Sequence, residues 1–304
     1  MITIASVLFK NRTYFEINRD LTRQLNPDTP HQWLLADNEL GANFSLQEPD
    51  IEVIQGVQPV RTKDAGSLHH ARALQKCLEA VETRFVLLLD PDFFVLRPRW
   101  IVDTIEHMQR HQLHFLGSVW HPRWYYQYRY FPTVHFMMID LQKVERDSLD
   151  LLPRIEHDRV WHFINHPRPL LPNFVRLRLK IGRIRDTGYQ IFRRYVRDPS
   201  VRYETFLPSY SPAPTFSTWM ESMLAPLVGD RWCFVPQKPG AFTSNSFLRE
   251  KHLQAYRSGW EEFFWKEEPF AFHLRCVGRR TSPERETPIL RETLKALGLQ
   301  HTQG

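Results

Sequence analysis

Two carboxylates stand one residue apart in the segment RFVLLLDPDFFVLRPRW, residues 84 to 100, at Asp90 and Asp92. Pro91 lies between them, and the pair ends the most hydrophobic run of the chain. Oxygen donors at that spacing suit a hard divalent cation, which can bridge in turn to diphosphate oxygens. The proline limits the backbone freedom of the turn and so holds the pair in place. A strand-ending turn that happens to be acidic is the plain alternative, and Asp-X-Asp alone does not decide between them.

Other groups invite the same question. His273 sits inside PFAFHLRCVGRR, a strand-like apolar run that is unusual company for an idle histidine. A partly buried histidine bonded to backbone is the competing reading. His107, His111 and His114 recur at helical spacing, but no acidic partner completes a zinc motif, so a solvated helix face is expected there. The stretch HPRWYYQYRYFP, residues 121 to 132, crowds aromatic and basic side chains together. Faces such as those of Trp124, Tyr125 and Tyr126 can stack on the apolar side of a sugar, and ordinary packing would use them equally well. Asp186, in RDTGYQIF, is placed to cap a helix.

The elements that must position these residues alternate in the first half. MITIASVLF, HQWLLADN, DIEVIQG and RFVLLLD read as strands, with helical spacing over residues 11 to 25 and from Gly66 to Thr83. RFVLLLD lacks polar alternation, which predicts a strand covered on both faces. A helix is expected after Pro98, with that proline in its first turn, and HFLGSVW and TVHFMMIDL are two further strands. Such alternation predicts an α/β domain with a mostly parallel sheet, where ligands bind beyond the carboxyl ends of the strands. The second half is less regular. VRLRLKI, residues 175 to 181, predicts a strand with one cationic face, and DTGYQIFRRYVRD a helix capped by Asp186. TPILRETLKALG predicts a helix starting at Pro288 and stopping at Gly298.

Composition narrows the classes. The chain has 304 residues and a formal net charge of +6, with 42% hydrophobic and 24% charged residues, ordinary values for a globular protein. No apolar stretch approaches the roughly 20 residues a membrane-spanning helix needs. MITIASVLF carries no basic leader, which argues against a secretory signal. Three widely spaced cysteines form neither a disulfide framework nor a zinc cluster. A cytoplasmic location is therefore expected, and the positive charge calls for an anionic partner or a solvated basic surface.

GSLHHARALQKCLEAVETRFVLLLDPDFFVLRPRW as a whole resembles the family 2-like glycosyltransferases of the GT-A fold. The matching pieces are Ala71-Arg72, FVLLLDPD, and Pro98 with Trp100, and the likeness extends to TVHFMMIDLQKV. It departs at His69 and His70, and Asp37-Asn38-Glu39 only approximates the usual acidic turn after the second strand. The resemblance implies a transferase that takes a nucleoside diphosphate sugar as donor and a glycan or lipid-linked hydroxyl as acceptor, with Mn2+ or Mg2+ as cofactor. It assigns nucleotide-sugar contacts to Asp37, Arg72, Asp90 and Asp92. Asp92 is the first choice for the metal because it lies farther along the chain from the strand. His273 would join it as a C-terminal ligand, Asp186 would be the base, and Trp124, Tyr125 and Tyr126 would face the acceptor.

On this reading residues 1–304 form one GT-A-like domain. Residues 1–145 are its nucleotide-sugar half, and 146–304 its acceptor half and C-terminal extension. Two other functions compete. One keeps the fold but transfers a nucleotidyl or phosphoryl group. The other is a non-catalytic basic protein, in which Arg176, Arg178, Arg193 and Arg194 bind nucleic acid or an anionic surface. The same stripe could dock a transferase on the inner membrane face. Nucleic acid is the weaker candidate, because Asp90 and Asp92 repel phosphate unless a metal intervenes.

Overall fold

The structure is a computed structural model that describes residues 1–39, 48–58, 65–122, 130–153, 187–211, 240–274 and 283–299. Four strands open the chain: β1 (Ile2–Leu8), β2 (His31–Asp37), β3 (Ile51–Gln55) and β4 (Phe85–Leu89). They are interleaved with α1 (Arg12–Leu25) and α2 (Ala65–Ala80). After a tight corner come β5 (Phe93–Val95), α3 (Trp100–Arg110), β6 (Phe115–Gly117) and β7 (Phe136–Asp140). Then follow α4 (Tyr189–Tyr195), β8 (Tyr203–Thr205), β9 (Leu207–Pro208) and two short helices, α5 (Phe247–Glu250) and α6 (Gln254–Ser258). The described chain closes with β10 (Glu261–Trp265), β11 (Glu268–His273) and α7 (Pro283–Ala296).

The fold is mixed α/β, as the alternation predicts. Among the described residues seven strands form one sheet in the order β3-β2-β1-β4-β7-β6-β8, in which only β7 runs against its neighbours. Helices cover both faces. Alternate residues of β4 divide between two cores, Phe85, Leu87 and Leu89 on one side, Val86 and Leu88 on the other. The first core includes α1, α3 and α7, and the second α2 and α4. Each of these β4 side chains stabilises the fold by about 1.5–3 kcal/mol through burial, which accounts for the missing polar alternation.

A second sheet, β5-β11-β10-β9, is antiparallel and built from the far end of the sequence. It explains why apolar residues resume immediately after Asp92. The run from Phe85 to Val95 serves two sheets, and Asp90-Pro91-Asp92 is the corner between them.

Three boundaries differ from expectation. Pro98 precedes the cap of α3; Arg99 occupies that cap at φ 56°, and Asn26 Oδ1 accepts from the Ile101 N–H instead. Pro288 lies inside α7, whose first residue is Pro283, while Gly298 does follow its end, at φ 77°. The cap of α4 is Gly188, not Asp186, which lies outside the described residues along with 175 to 181. No helix among the described residues is long and apolar enough to cross a membrane.

Candidate functional site

Strand order reverses between β1 and β4, since β2 and β3 lie on one side and later strands on the other. A crevice is expected where their carboxyl ends part. A cavity of about 400 Å³ lies there. Val7, Phe9 and Asn11 line it from the end of β1, His70 from α2, Asp90 and Asp92 from the corner, His135 from just before β7 and His273 from the end of β11.

The corner is held at several points. The Phe93 N–H donates to Asp90 C=O at 3.0 Å, closing a turn with Pro91 at its second position, where proline's fixed φ is favoured. Asn18, buried on α1, donates from Nδ2 to Pro91 C=O (3.2 Å) and Phe93 C=O (2.8 Å). The Asp90 N–H donates to His135 C=O and the Leu274 N–H to Asp92 C=O, both at 3.1 Å. The corner is thus tied to the start of β7 and the end of β11. Asp92 is the more buried carboxylate and Asp90 the more accessible, with side chains 6% and 18% exposed, so distance along the chain from the strand does not order them by exposure.

Antiparallel pairing carries His273 to this corner. In the register of the small sheet, Phe93 stands opposite His273 and His273 opposite Glu261. His273 Nδ1 lies 3.0 Å from Glu261 Oε2, and Nε2 lies 3.3 Å from Asp92 Oδ1. A carboxylate only accepts, so Nδ1–H donates to Glu261 and the Nε2 lone pair turns toward Asp92. Two acceptors that close need a cation between them. Without a metal the proton fills that place: burial opposes the charge, but Asp92 and Glu261 outweigh it and hold the His273 imidazole up to about 10.

His135 repeats the arrangement from the large sheet. The Thr133 hydroxyl donates to Ser118 C=O (3.2 Å) and its oxygen lies 3.3 Å from His135 Nδ1, which therefore donates to it. His135 Nε2 faces Asp90 Oδ2 at 3.8 Å. The ring makes tilted contacts with both Trp120 and His273, each at a centroid distance of 4.6 Å. One ligand atom each from Asp90, His135 and His273 lies within 4.8 Å of the others. An imidazole pair with a carboxylate is a donor set that a divalent transition metal takes, and these three residues would hold such an ion.

His70 faces the same pocket, its Nε2 3.4 Å from Asp90 Oδ1. Burial, opposed by Asp92 and reinforced by His69, brings its imidazole down to about 4. It is a neutral imidazole near pH 7. His69 lines the pocket as well, and its Nε2 bonds Val57 C=O at 2.7 Å.

Of the residues marked out by sequence, the structure brings Asp90, Asp92 and His273 together. Asp37 ends β2 and accepts from the Glu39 N–H at 2.9 Å, a turn contact, and neither it nor the exposed Arg72 lines the pocket of described residues. Asp186, Trp124, Tyr125 and Tyr126 lie outside the described residues. Sequence reasoning missed His135, Glu261 and His70. His135 carried the signal used for His273, an ionisable side chain in an apolar strand, but only the reversed direction of β7 sets it opposite Asp90. His107 corrects an expectation: it is buried, 2.8 Å from Glu204 Oε2, while His111 stays exposed.

No protein-family model matches the chain, and no curated protein matches it by sequence. Solved structures do. TarS 1-349 of S. aureus in complex with UDP aligns with 84% of this chain and 78% of its own, at 13% identity and a TM-score of 0.40. Mannosyltransferase PcManGT of Pyrobaculum calidifontis, in complex with GDP-Man and Mn2+, aligns with 48% of this chain and 46% of its own, at 13% identity and 0.37. Galactosyltransferase LgtC, with donor and acceptor sugar analogues, aligns with 48% and 62%, at 15% identity and 0.34. In the last two, as in TarS 1-349 alone at 50%, this chain spans about half to three-fifths of the solved protein. All these scores lie below 0.5.

Proposed function

We propose that the chain is a metal-dependent glycosyltransferase of GT-A type that moves a sugar from a nucleoside diphosphate carrier to a hydroxyl acceptor. One observation carries this reading: Asp90 and Asp92, and His273 from the far end of the sequence, converge on one cavity at the point where strand order reverses. Asp90, Asp92 and His273 would hold the ion, and bound Mn2+ or Mg2+ supplies positive charge to a departing diphosphate. The residues at the start of α2 line the cavity, and helix N-termini favour phosphate.

In the transfer, the acceptor oxygen bonds to the anomeric carbon as the bond to the diphosphate oxygen breaks. The nucleoside diphosphate leaves with the electron pair, and the acceptor proton passes to a base. Asp186 is proposed for that role, supported by its neighbour Thr187, which lines the cavity. Trp124, Tyr125 and Tyr126 are proposed for the acceptor side, supported by Trp120 at the cavity wall just before them. Arg193 and Arg194, exposed on α4, are proposed to meet an anionic acceptor carrier or membrane surface.

A thermal-shift series with nucleoside diphosphates and their sugars, with and without Mn2+, tests the reading. A ligand at a hundredfold excess over its Kd adds about 2.7 kcal/mol to stability. The expected result is a shift that needs both nucleotide and metal, followed by donor turnover when acceptors are supplied. Absence of any shift across all bases would sink it.

A further inference from the structure

Two of the three ligand atoms that converge within 4.8 Å are imidazole nitrogens, and that proportion bears on which ion the pocket takes and when. We propose that Asp90, His135 and His273, with Asp92 beside them, bind a divalent transition-metal ion before any nucleotide arrives, and bind it in preference to Mg2+. The proposal deepens the metal-dependent reading above and rests on its placing an ion in this pocket. Donor binding and transfer are not needed for it to hold.

The first argument is ligand chemistry. Mg2+ demands oxygen ligands, loses its waters reluctantly and usually relies on one or two carboxylates plus substrate phosphates. Imidazole instead suits the later first-row ions. A site of carboxylates alone would wait for the diphosphate to complete it. Here Nε2 of His135 faces Asp90 and Nε2 of His273 faces Asp92, so the protein itself supplies nitrogen and oxygen donors around one space.

The second argument is orientation. Each ring has its Nδ1 proton engaged behind it, His273 by Glu261 and His135 by Thr133. That fixes the tautomer whose Nε2 lone pair faces the carboxylates, the outer-shell arrangement that raises ligand basicity at metal sites. Trp120, His135 and His273 make successive tilted ring contacts at 4.6 Å, and Phe93 meets His273 at 5.7 Å. The ring planes are therefore set by packing, and little side-chain entropy remains to be lost on binding. Glu261, His135 and His273 are all buried, so their geometry is a product of the fold.

The test uses the full chain, stripped with chelator and titrated with Co2+ alone. Saturation at one ion per chain is expected without nucleotide, with visible absorption from the bound ion. Proton NMR of the Co2+ form should show two strongly shifted exchangeable ring protons, the Nδ1–H of His135 and of His273. Roughly a hundredfold excess of Mg2+ should not displace the ion. His135→Gln should weaken Co2+ binding by about tenfold or more and remove one shifted proton. Should that variant not fold, the proton count on the unaltered chain decides alone. Co2+ binding that appears only after a nucleoside diphosphate is added, one shifted proton or none, or displacement by equimolar Mg2+ would overturn the proposal. Nucleotide-dependent binding would leave the transferase reading standing. Tight Co2+ binding with no donor recognition would do the reverse.

Discussion

The large and small sheets contribute to the pocket in different ways. The large sheet offers strand ends: Asp90 and Asp92 follow β4, and His135 immediately precedes β7. The small sheet offers a ladder, in which Phe93, His273 and Glu261 stand side by side on β5, β11 and β10. Loops beyond strand ends can vary without disturbing the sheet, whereas a residue within a ladder is fixed by its pairing. The carboxylates are thus placed by local chain geometry, and the imidazole with its orienting glutamate by long-range register.

The largest effect should come from the strand-end carboxylates. Asp92→Asn keeps the shape and removes the charge, and transfer should fall by about a thousandfold or more. Donor turnover measured in saturating Mn2+, with circular dichroism as the check on folding, tests this. Turnover within a few-fold of the unaltered chain would show that the corner is only a turn.

Glu261→Gln addresses the ladder. The register is preserved, but Nδ1 of His273 loses its anionic partner, and metal affinity should drop about 10–100-fold. Metal titration followed by activity at raised Mn2+ separates lost affinity from lost structure. Recovery at high Mn2+ is expected; no change in affinity would show that Glu261 only fills the core.

Acidity probes the two sides separately in the metal-free chain. His273 has a folded value near 10 against 6.5 unfolded, so its contribution is complete below about 6.5 and is lost as pH rises toward 10. His70 has a folded value near 4 against 6.5, so the unfolded chain gains the proton first and stability falls as pH drops from 6.5 to 4. Thermal midpoints in chelator should therefore peak near 6.5 and decline on both sides, each limb by several degrees. His70→Gln should flatten the acid limb alone. An unchanged acid limb would contradict the assignment.

The smallest effect belongs to a histidine outside both contributions. His107→Gln removes the contact to Glu204, and stability should fall by about 1 kcal/mol. Metal affinity should not move, and a shift there would mean that the two regions are not separable.

How much of this was legible depended on sequence distance. The first four strands, α1, α2 and the acidic corner follow from apolar periodicity and one tripeptide, because their causes are local. Helix limits were less legible: Pro98 and Pro288 both look like helix starts, but α3 begins after Arg99 with Asn26 of another element accepting from its first turn, and α7 begins earlier at Pro283. His273 could be singled out by its apolar surroundings, although nothing local marks its partner. Finding Glu261 or His135 requires knowing that β10 runs against β11 and β7 against β4, a choice made by the whole sheet. His107 looked like a surface residue because periodicity shows which positions share a face, not what arrives to cover that face.

The pairing of β5 with β11 also gives the pocket a birth order. A growing chain makes Asp90, Asp92 and His135 early, but about 180 residues separate Asp92 from His273, roughly 10 to 40 s at common synthesis rates. During that interval strands of the large sheet can pair while β5 has no neighbour. The corner has its two carboxylates and the imidazoles of His70 and His135, but no contribution from the small sheet, until Phe93 finds His273 across the ladder. The proposed ion site is therefore completed late, with one of the longest-range pairings of the fold, and a chain stalled before β10 and β11 emerge would carry the acidic motif with none of the small-sheet half of that site.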